Sequence, residues 1–235
     1  MSIEQRSFPA FRAAEPLSPP ADFTSRLVQI GVSLDAATEH LLARYFAALL
    51  SMNEEMNLTA IKEPAQVWEK HGLDALSLVP LLPSSARSLL DVGSGGGVPG
   101  VVLAIARPDL QVTLLEATQK KAAFLFALAR ELSLDNVRVV GERAETAMRS
   151  RTQSFDVVTA RAVARLEKLL PLTAPFAKVG GLLLLVKGAR ADEELEEAKR
   201  SLEKLDLRHE RTVLTPTGRI VVLQKWPRGE GEGKA

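Results

Sequence analysis

The stretch Leu89-Leu90-Asp91-Val92-Gly93-Ser94-Gly95-Gly96-Gly97-Val98-Pro99-Gly100 constrains this chain more than any other. An apolar run ending in an acid enters five glycines within eight positions, and the apolar segment Val101 to Ala106 leaves it. That pattern reads as a strand, a tight turn and a helix start. Glycine is needed where the backbone takes positive φ or must approach a ligand without a Cβ in between. The first free N–H groups of the following helix then face whatever lies over the turn. In open α/β folds such a turn, at the C-terminal edge of a parallel sheet, is where nucleotides bind. A plain glycine-rich connector is the competing reading, but five glycines at one junction are too many for it.

The flanking sequence supports the same architecture. From Ser88 onward apolar runs alternate with helical patterns, as expected of parallel strands with crossover helices. Strands are expected at Ser88 to Val92, Gln111 to Glu116, Val137 to Val140, Phe155 to Ala160 and, after Gly180-Gly181, Leu182 to Val186. Helices are expected at Val98 to Arg107, Thr118 to Leu132, Ala164 to Ala177 (bent or divided by Pro171 and Pro175) and Glu193 to Leu205. Arg211 to Leu214 and Arg219 to Lys225 flank the short link Thr215-Pro216-Thr217-Gly218. Strands joined so tightly must be antiparallel. Five parallel strands closed by an antiparallel terminal pair fit a Rossmann-like class I methyltransferase fold, which binds S-adenosylmethionine, better than a dehydrogenase.

Ahead of the α/β unit, residues 23–84 read as a helical extension. One helix begins near Asp22. A second follows Ser33 as N-cap, with Leu34, Ala37, Leu41, Leu42, Tyr45, Leu49 and Met52 forming an apolar stripe. A third runs from about Ala65 to Val79. Residues 1–22, rich in proline, and the tail 227–235 read as disordered or loosely attached, leaving 85–226 as the cofactor-binding domain. Composition excludes several chemistries. The chain has 235 residues and no cysteine, so no disulfide, thiolate metal site or covalent thiolate catalysis is available. His40, His71 and His209 are too dispersed to suggest a metal centre. There is no 18-residue apolar span or signal-peptide pattern, so a cytoplasmic, non-membrane protein is expected. The net charge of +1 leaves any RNA contact to local patches.

Gly95, Gly97 and Gly100 match G-x-G-x-x-G, which alone suggests NAD as readily as any other nucleotide. Two features favour a cationic adenosine ligand. The turn has no basic residue to neutralise a pyrophosphate, and Asp91 would repel one while suiting a sulfonium or ammonium. Asp91 can equally be a cap of the turn. Glu116, 23 positions after Gly93, is placed to accept ribose hydroxyls, with a solvated strand-end acid as the alternative. Ala144 and Glu145 follow the third strand where an adenine should lie; a surface Glu at a helix start is the other reading. Arg161, ending the fourth strand, can hold a methionine carboxylate or a substrate phosphate, or form a structural salt bridge. Lys187 after the fifth strand suits an acceptor phosphate. Arg149, Arg151, Arg165 and Lys168 would extend a basic rim, or simply a solvated face.

These residues resemble a known family. Leu90 to Gly100, Leu115-Glu116-Ala117, Lys120-Lys121, Phe124-Leu125, Arg143-Ala144-Glu145, Arg161-Ala162 and Lys187-Gly188 are similar to RsmG (glucose-inhibited division protein B), the bacterial 16S rRNA guanine-N7 methyltransferase family. Asn57-Leu58-Thr59-Ala60-Ile61 and Lys70-His71-Gly72-Leu73-Asp74 resemble its upstream signatures, and the likeness spans about residues 34 to 225. Ala75 and Ile220 depart from the family pattern, where Ser and His are usual. The resemblance implies S-adenosylmethionine contacts at Gly93, Val98, Glu116, Ala117, Thr118, Ala144, Glu145 and Arg161, to which the bottom-up reading adds Asp91 and Gly95. Arg161, Lys187, Asn57 and His71 are expected to position the acceptor, and 16S rRNA in the small ribosomal subunit is the expected partner of a monomer. A guanine N7 carries an exposed lone pair, so the enzyme needs alignment more than acid–base chemistry. Two alternatives of other classes are an NAD(P)-dependent oxidoreductase and a non-catalytic RNA- or ribosome-binding module.

Overall fold

The computed structural model describes residues 14–161 and 163–228. Seven strands form one sheet in the order β3-β2-β1-β4-β5-β7-β6: β1 (Ser88–Val92), β2 (Gln111–Leu115), β3 (Val137–Val140), β4 (Phe155–Arg161), β5 (Ala177–Lys187), β6 (Leu207–Leu214) and β7 (Arg219–Lys225). β1 to β5 pair in parallel, and β7 runs antiparallel to both β5 and β6. The expected sheet and its antiparallel closure are both present. The strand order reverses at β1, so the C-terminal end of β1 is the switch point where ligands bind in such folds.

Helices cover both faces, and the period of two along each strand decides which core each residue joins. Leu89, Val157, Leu184 and Val222 point into a core shared with α1 (Phe23–Gln29), α2 (Ala36–Met56), α3 (Pro64–Val67), α4 (Asp74–Leu76), α5 (Gly100–Ala106) and α6 (Gln119–Glu131). Leu90, Val158, Leu183 and Leu223 point into the other, with α7 (Ala144–Arg151), α8 (Leu166–Thr173), α9 (Ala191–Glu197) and α10 (Lys199–Lys204). The N-terminal helices therefore form part of one layer on the sheet. Trp68 and Phe46 meet edge to face there at 4.9 Å.

Local details differ from expectation. The N-cap of α2 is Asp35, whose Oδ1 accepts from Thr38 N at 2.7 Å, not Ser33. The third helix contains a wide π-helical turn, Trp68–Leu73, between α3 and α4. Pro171 lies inside α8, while Pro175 falls in a 3-10 turn, Ala174–Phe176. The helix expected over 193–205 is divided at Ala198. β6 starts at Leu207, four residues early, because an edge strand tolerates exposed charge and Arg208, His209 and Glu210 masked it. Of the two terminal segments expected to be disordered or loosely attached, residues 1–13 and 229–235 lie outside the described residues. Residues 14–22 hold no strand or helix, yet Leu17 N donates to Ala43 O at 3.2 Å and its side chain packs on the core.

Candidate active site

β1 ends at Val92 and the chain turns at once. Gly93 and Ser94 N–H both donate to the Leu115 carbonyl, at 2.8 and 3.1 Å, tying the turn to the end of β2. Gly93, Gly95 and Gly97 have φ of +72°, +56° and +105°, where other residues are strained. At Gly100 the demand is space: a Cβ would stand 2.3 Å from Leu114 Cδ2 and 2.8 Å from Asp91 Oδ2.

The two acids have different fates. Glu116 lines the space over the turn, with Oε2 accepting from Gly95 N at 2.9 Å and Oε1 from Thr118 N at 2.7 Å. Each oxygen retains acceptor capacity. Asp91 lies beneath the turn, 1% exposed. Its Oδ1 accepts from the Thr159 hydroxyl at 2.9 Å and its Oδ2 from Gly100 N at 3.2 Å. Burial pushes its carboxyl up to about 6, against the lowering effect of those hydrogen bonds. Asp91 is thus a strut joining β1, β4 and α5, the capping alternative to a direct ligand contact.

Above the turn lies a cavity of about 490 Å³. Its floor is Gly93 to Gly96 with Val98, its walls include Glu116, Lys121, Arg161 and Val163, and its roof comes from the N-terminal layer through Leu49, Leu58, Thr59, Ala60, Ile61 and His71. α2 clamps the floor, since the Tyr45 hydroxyl donates to Gly96 O at 3.0 Å. His71 Nε2 lies 2.7 Å from Thr59 Oγ1, and that oxygen also accepts from Ile61 N at 3.0 Å. Burial, reinforced by the nearby Arg161 charge, pushes His71 down to about 4, so its ring is neutral at neutral pH. Burial also lowers the Arg161 pKa, opposed by Asp74, yet a guanidinium stays protonated. Arg161 Nη2 is 4.0 Å from Asp74 Oδ2, and its buried Nη1 has no hydrogen-bond partner among the described residues.

Of the expected residues, Gly93, Gly95, Val98, Glu116, Arg161 and His71 meet around this cavity. Ala117 and Thr118 follow Glu116 as the lead-in and N-cap of α6, and Ala144 and Glu145 open α7; none of these four lines the cavity. Two residues expected to position the acceptor, Asn57 and Lys187, do not line the cavity. Asn57 closes α2 at φ +49°, its N–H donating to Asn53 O at 3.0 Å, because the chain must leave the helix there. The Lys187 side chain is 8% exposed, and its Nζ donates to Ala164 O at 2.6 Å and pairs with Glu194 at 2.8 Å. In the expected basic rim, Arg151 and Arg165 pair with Glu142 and Glu197. Sequence reasoning missed Tyr45, Thr59, Asp74 and Thr217. Thr59 and Asp74 stood inside quoted signatures, whereas nothing local marked Thr217.

Among the described residues no three His, Asp or Glu side chains group as a metal site, and no helix is long and apolar enough to cross a membrane. Two solved structures share the fold. Cofactor-bound Rv0187 from MTB has a TM-score of 0.58 at 21% identity, covering 88% of this chain and 98% of that one. A putative O-methyltransferase from Klebsiella pneumoniae has a TM-score of 0.56 at 17% identity, covering 87% and 96%. Closer in sequence are two proteins named Ribosomal RNA small subunit methyltransferase G. That of Sorangium cellulosum is 57% identical over 213 residues, 89% of each chain. That of Streptococcus gordonii is 42% identical over 190 residues, 79% of this chain and 80% of its own. The family model described as GidB, rRNA small subunit methyltransferase G, matches residues 38–221. Matched along most of its length and at this level of identity, the chain belongs to the GidB family of rRNA small subunit methyltransferases.

Proposed function

We infer that the protein transfers a methyl group from S-adenosylmethionine to N7 of a guanine in the 16S rRNA of the small ribosomal subunit. The observation that carries the reading is the Arg161 guanidinium in the wall of the glycine-floored cavity, with a buried Nη1 that has no hydrogen-bond partner among the described residues. A carboxylate is the natural acceptor for it, and the methionine part of the donor has one. Glu116, on another wall, retains lone pairs suited to ribose hydroxyls, and the cavity volume lies within the range of small-molecule sites. No basic residue stands in the glycine turn to favour a pyrophosphate. Membership of a methyltransferase family likewise leaves the oxidoreductase alternative unfavoured.

When bound, the donor supplies an electrophilic methyl on a sulfonium. The chain's own task is alignment. Gly93 and Gly95 let the backbone come close, Glu116 and Arg161 fix the two ends of the donor, and the Thr59–His71 roof bounds the side from which a base would enter. Guanine N7 needs no proton removed before attack, so alignment carries the reaction. A cytoplasmic protein acting as a monomer goes with this reading, since its acceptor is ribosomal RNA and its cavity is built within one chain.

Nucleoside mass spectrometry of 16S rRNA from cells with and without the gene tests this. Loss of a 7-methylguanosine on deletion, restored by the gene, is expected. An unchanged 7-methylguanosine content, or binding of the RNA with no transfer of labelled methyl, would overturn the reading.

A further inference from the structure

Asp74 opens α4, directly after the π-helical turn that carries His71, and is only 2% exposed. A buried carboxylate needs partners, and those of Asp74 come from far along the chain. Thr217, 143 positions away in the β6–β7 link, donates its N–H to Oδ1 at 3.1 Å and its hydroxyl, at short range, to Oδ2. That link is itself fixed: Thr215 N donates to Gly218 O and Gly218 N to Thr215 Oγ1, both at 3.0 Å. Arg161 approaches the same carboxylate from β4, but only to 4.0 Å.

This is not the geometry of a pair built for stability. An Arg–carboxylate bridge made for its own sake closes to about 2.7–2.9 Å, usually through two N–H groups. Here the carboxylate is turned toward Thr217, Arg161 is held at a distance, and its Nη1 is buried in the wall of the cavity with no hydrogen-bond partner among the described residues. We propose that Asp74, pinned by Thr217, is a positioning residue that aims the Arg161 guanidinium at the carboxylate of the methyl donor. The C-terminal hairpin and the N-terminal layer then jointly orient one side chain of the site. The inference rests on reading the cavity as the donor site.

Calorimetry on the full chain with two probes tests it. S-adenosylhomocysteine keeps the amino-acid carboxylate, and 5′-methylthioadenosine lacks it. D74N should weaken the first by about tenfold and leave the second within about twofold, T217V should do the same more mildly, and R161M should show the largest difference between the probes. Equal loss of both probes in D74N, or no loss of either, overturns the role of Asp74. Should D74N fail to fold, T217V, at an exposed loop residue, decides by the same comparison. If R161M does not discriminate between the probes, the donor-site reading falls and this inference with it. If R161M discriminates and the Asp74 and Thr217 variants do not, only the present inference falls.

Discussion

At the scale of single residues, glycines in one turn are required for different reasons, and substitutions separate them. An Ala at Gly95 meets only Gly93 O, at 3.8 Å, so its cost is the left-handed φ alone, about 1 kcal/mol. An Ala at Gly100 must displace Leu114 and Asp91, and G100A should cost about 2–3 kcal/mol. Urea denaturation of both variants checks the order. Two buried titratable groups make a second prediction. His71 is near 4 in the fold against an ordinary 6.5, so between those pH values only the unfolded chain binds its proton and stability rises with pH. Asp91 is near 6 against 3.8, so over pH 3.8 to 6 the fold binds the extra proton and stability falls as pH rises. The two slopes oppose each other between about pH 4 and 6. H71Q should therefore gain stability relative to wild type as pH falls from 6.5 to 4, and D91N should gain relative stability as pH rises from 4 to 6. Each change is about 3 kcal/mol across its window, read from urea midpoints at several pH values.

At the scale of elements, the turn after β1 is held from two sides. β2 takes its first two N–H groups through Leu115 O, and α2 holds its middle through Tyr45 and Leu49. Y45F removes the donor to Gly96 O and should cost about 1–2 kcal/mol. L49A opens space under the roof and should cost about 2–5 kcal/mol. Both should also weaken S-adenosylhomocysteine binding, because each loosens the cavity floor; calorimetry beside urea denaturation shows whether stability and binding fall together. β1, β3 and β7 match expectation residue for residue, since each is an apolar run bounded by turn-forming residues. The start of β6 was hidden by its charges, and the π-helical turn has no mark in a pattern that reads as an ordinary helix.

At the scale of the whole molecule, the helices before β1 and the sheet share one core, with Phe46, Trp68 and Val101 in the same cluster as Leu184 and Val222. They should unfold together. In a W226F variant the fluorescence of Trp68 reports the N-terminal layer, and far-UV circular dichroism reports the entire fold. The two should give one coincident transition in urea; separate midpoints would show that the N-terminal helices melt on their own. A saturating donor analogue should shift both curves equally, by about 2.7 kcal/mol at a hundredfold excess over its Kd.

The sequence by itself determined the sheet, the place of its glycine turn, and Glu116 and Arg161 at the strand ends beside that turn, where the structure finds both lining the cavity. These follow from local periodicity, from glycine's freedom at positive φ and from the switch-point rule, none of which needs a distant partner. Tertiary structure decided the rest. A charged residue at a strand end turns toward the ligand or toward a neighbour according to what other elements bring within reach. Thr159 and Gly100 drew Asp91 beneath the turn, and Ala164 and Glu194 drew Lys187 away from the cavity. Asn57 was needed to end a helix. The cavity became a site because α2, the 57–61 segment and His71 close over the glycine turn, and because Thr217 reaches Asp74 from the far end of the chain. The longest of these contacts, Thr159 to Asp91 and Thr217 to Asp74, join residues 68 and 143 positions apart, where pattern and propensity carry no information.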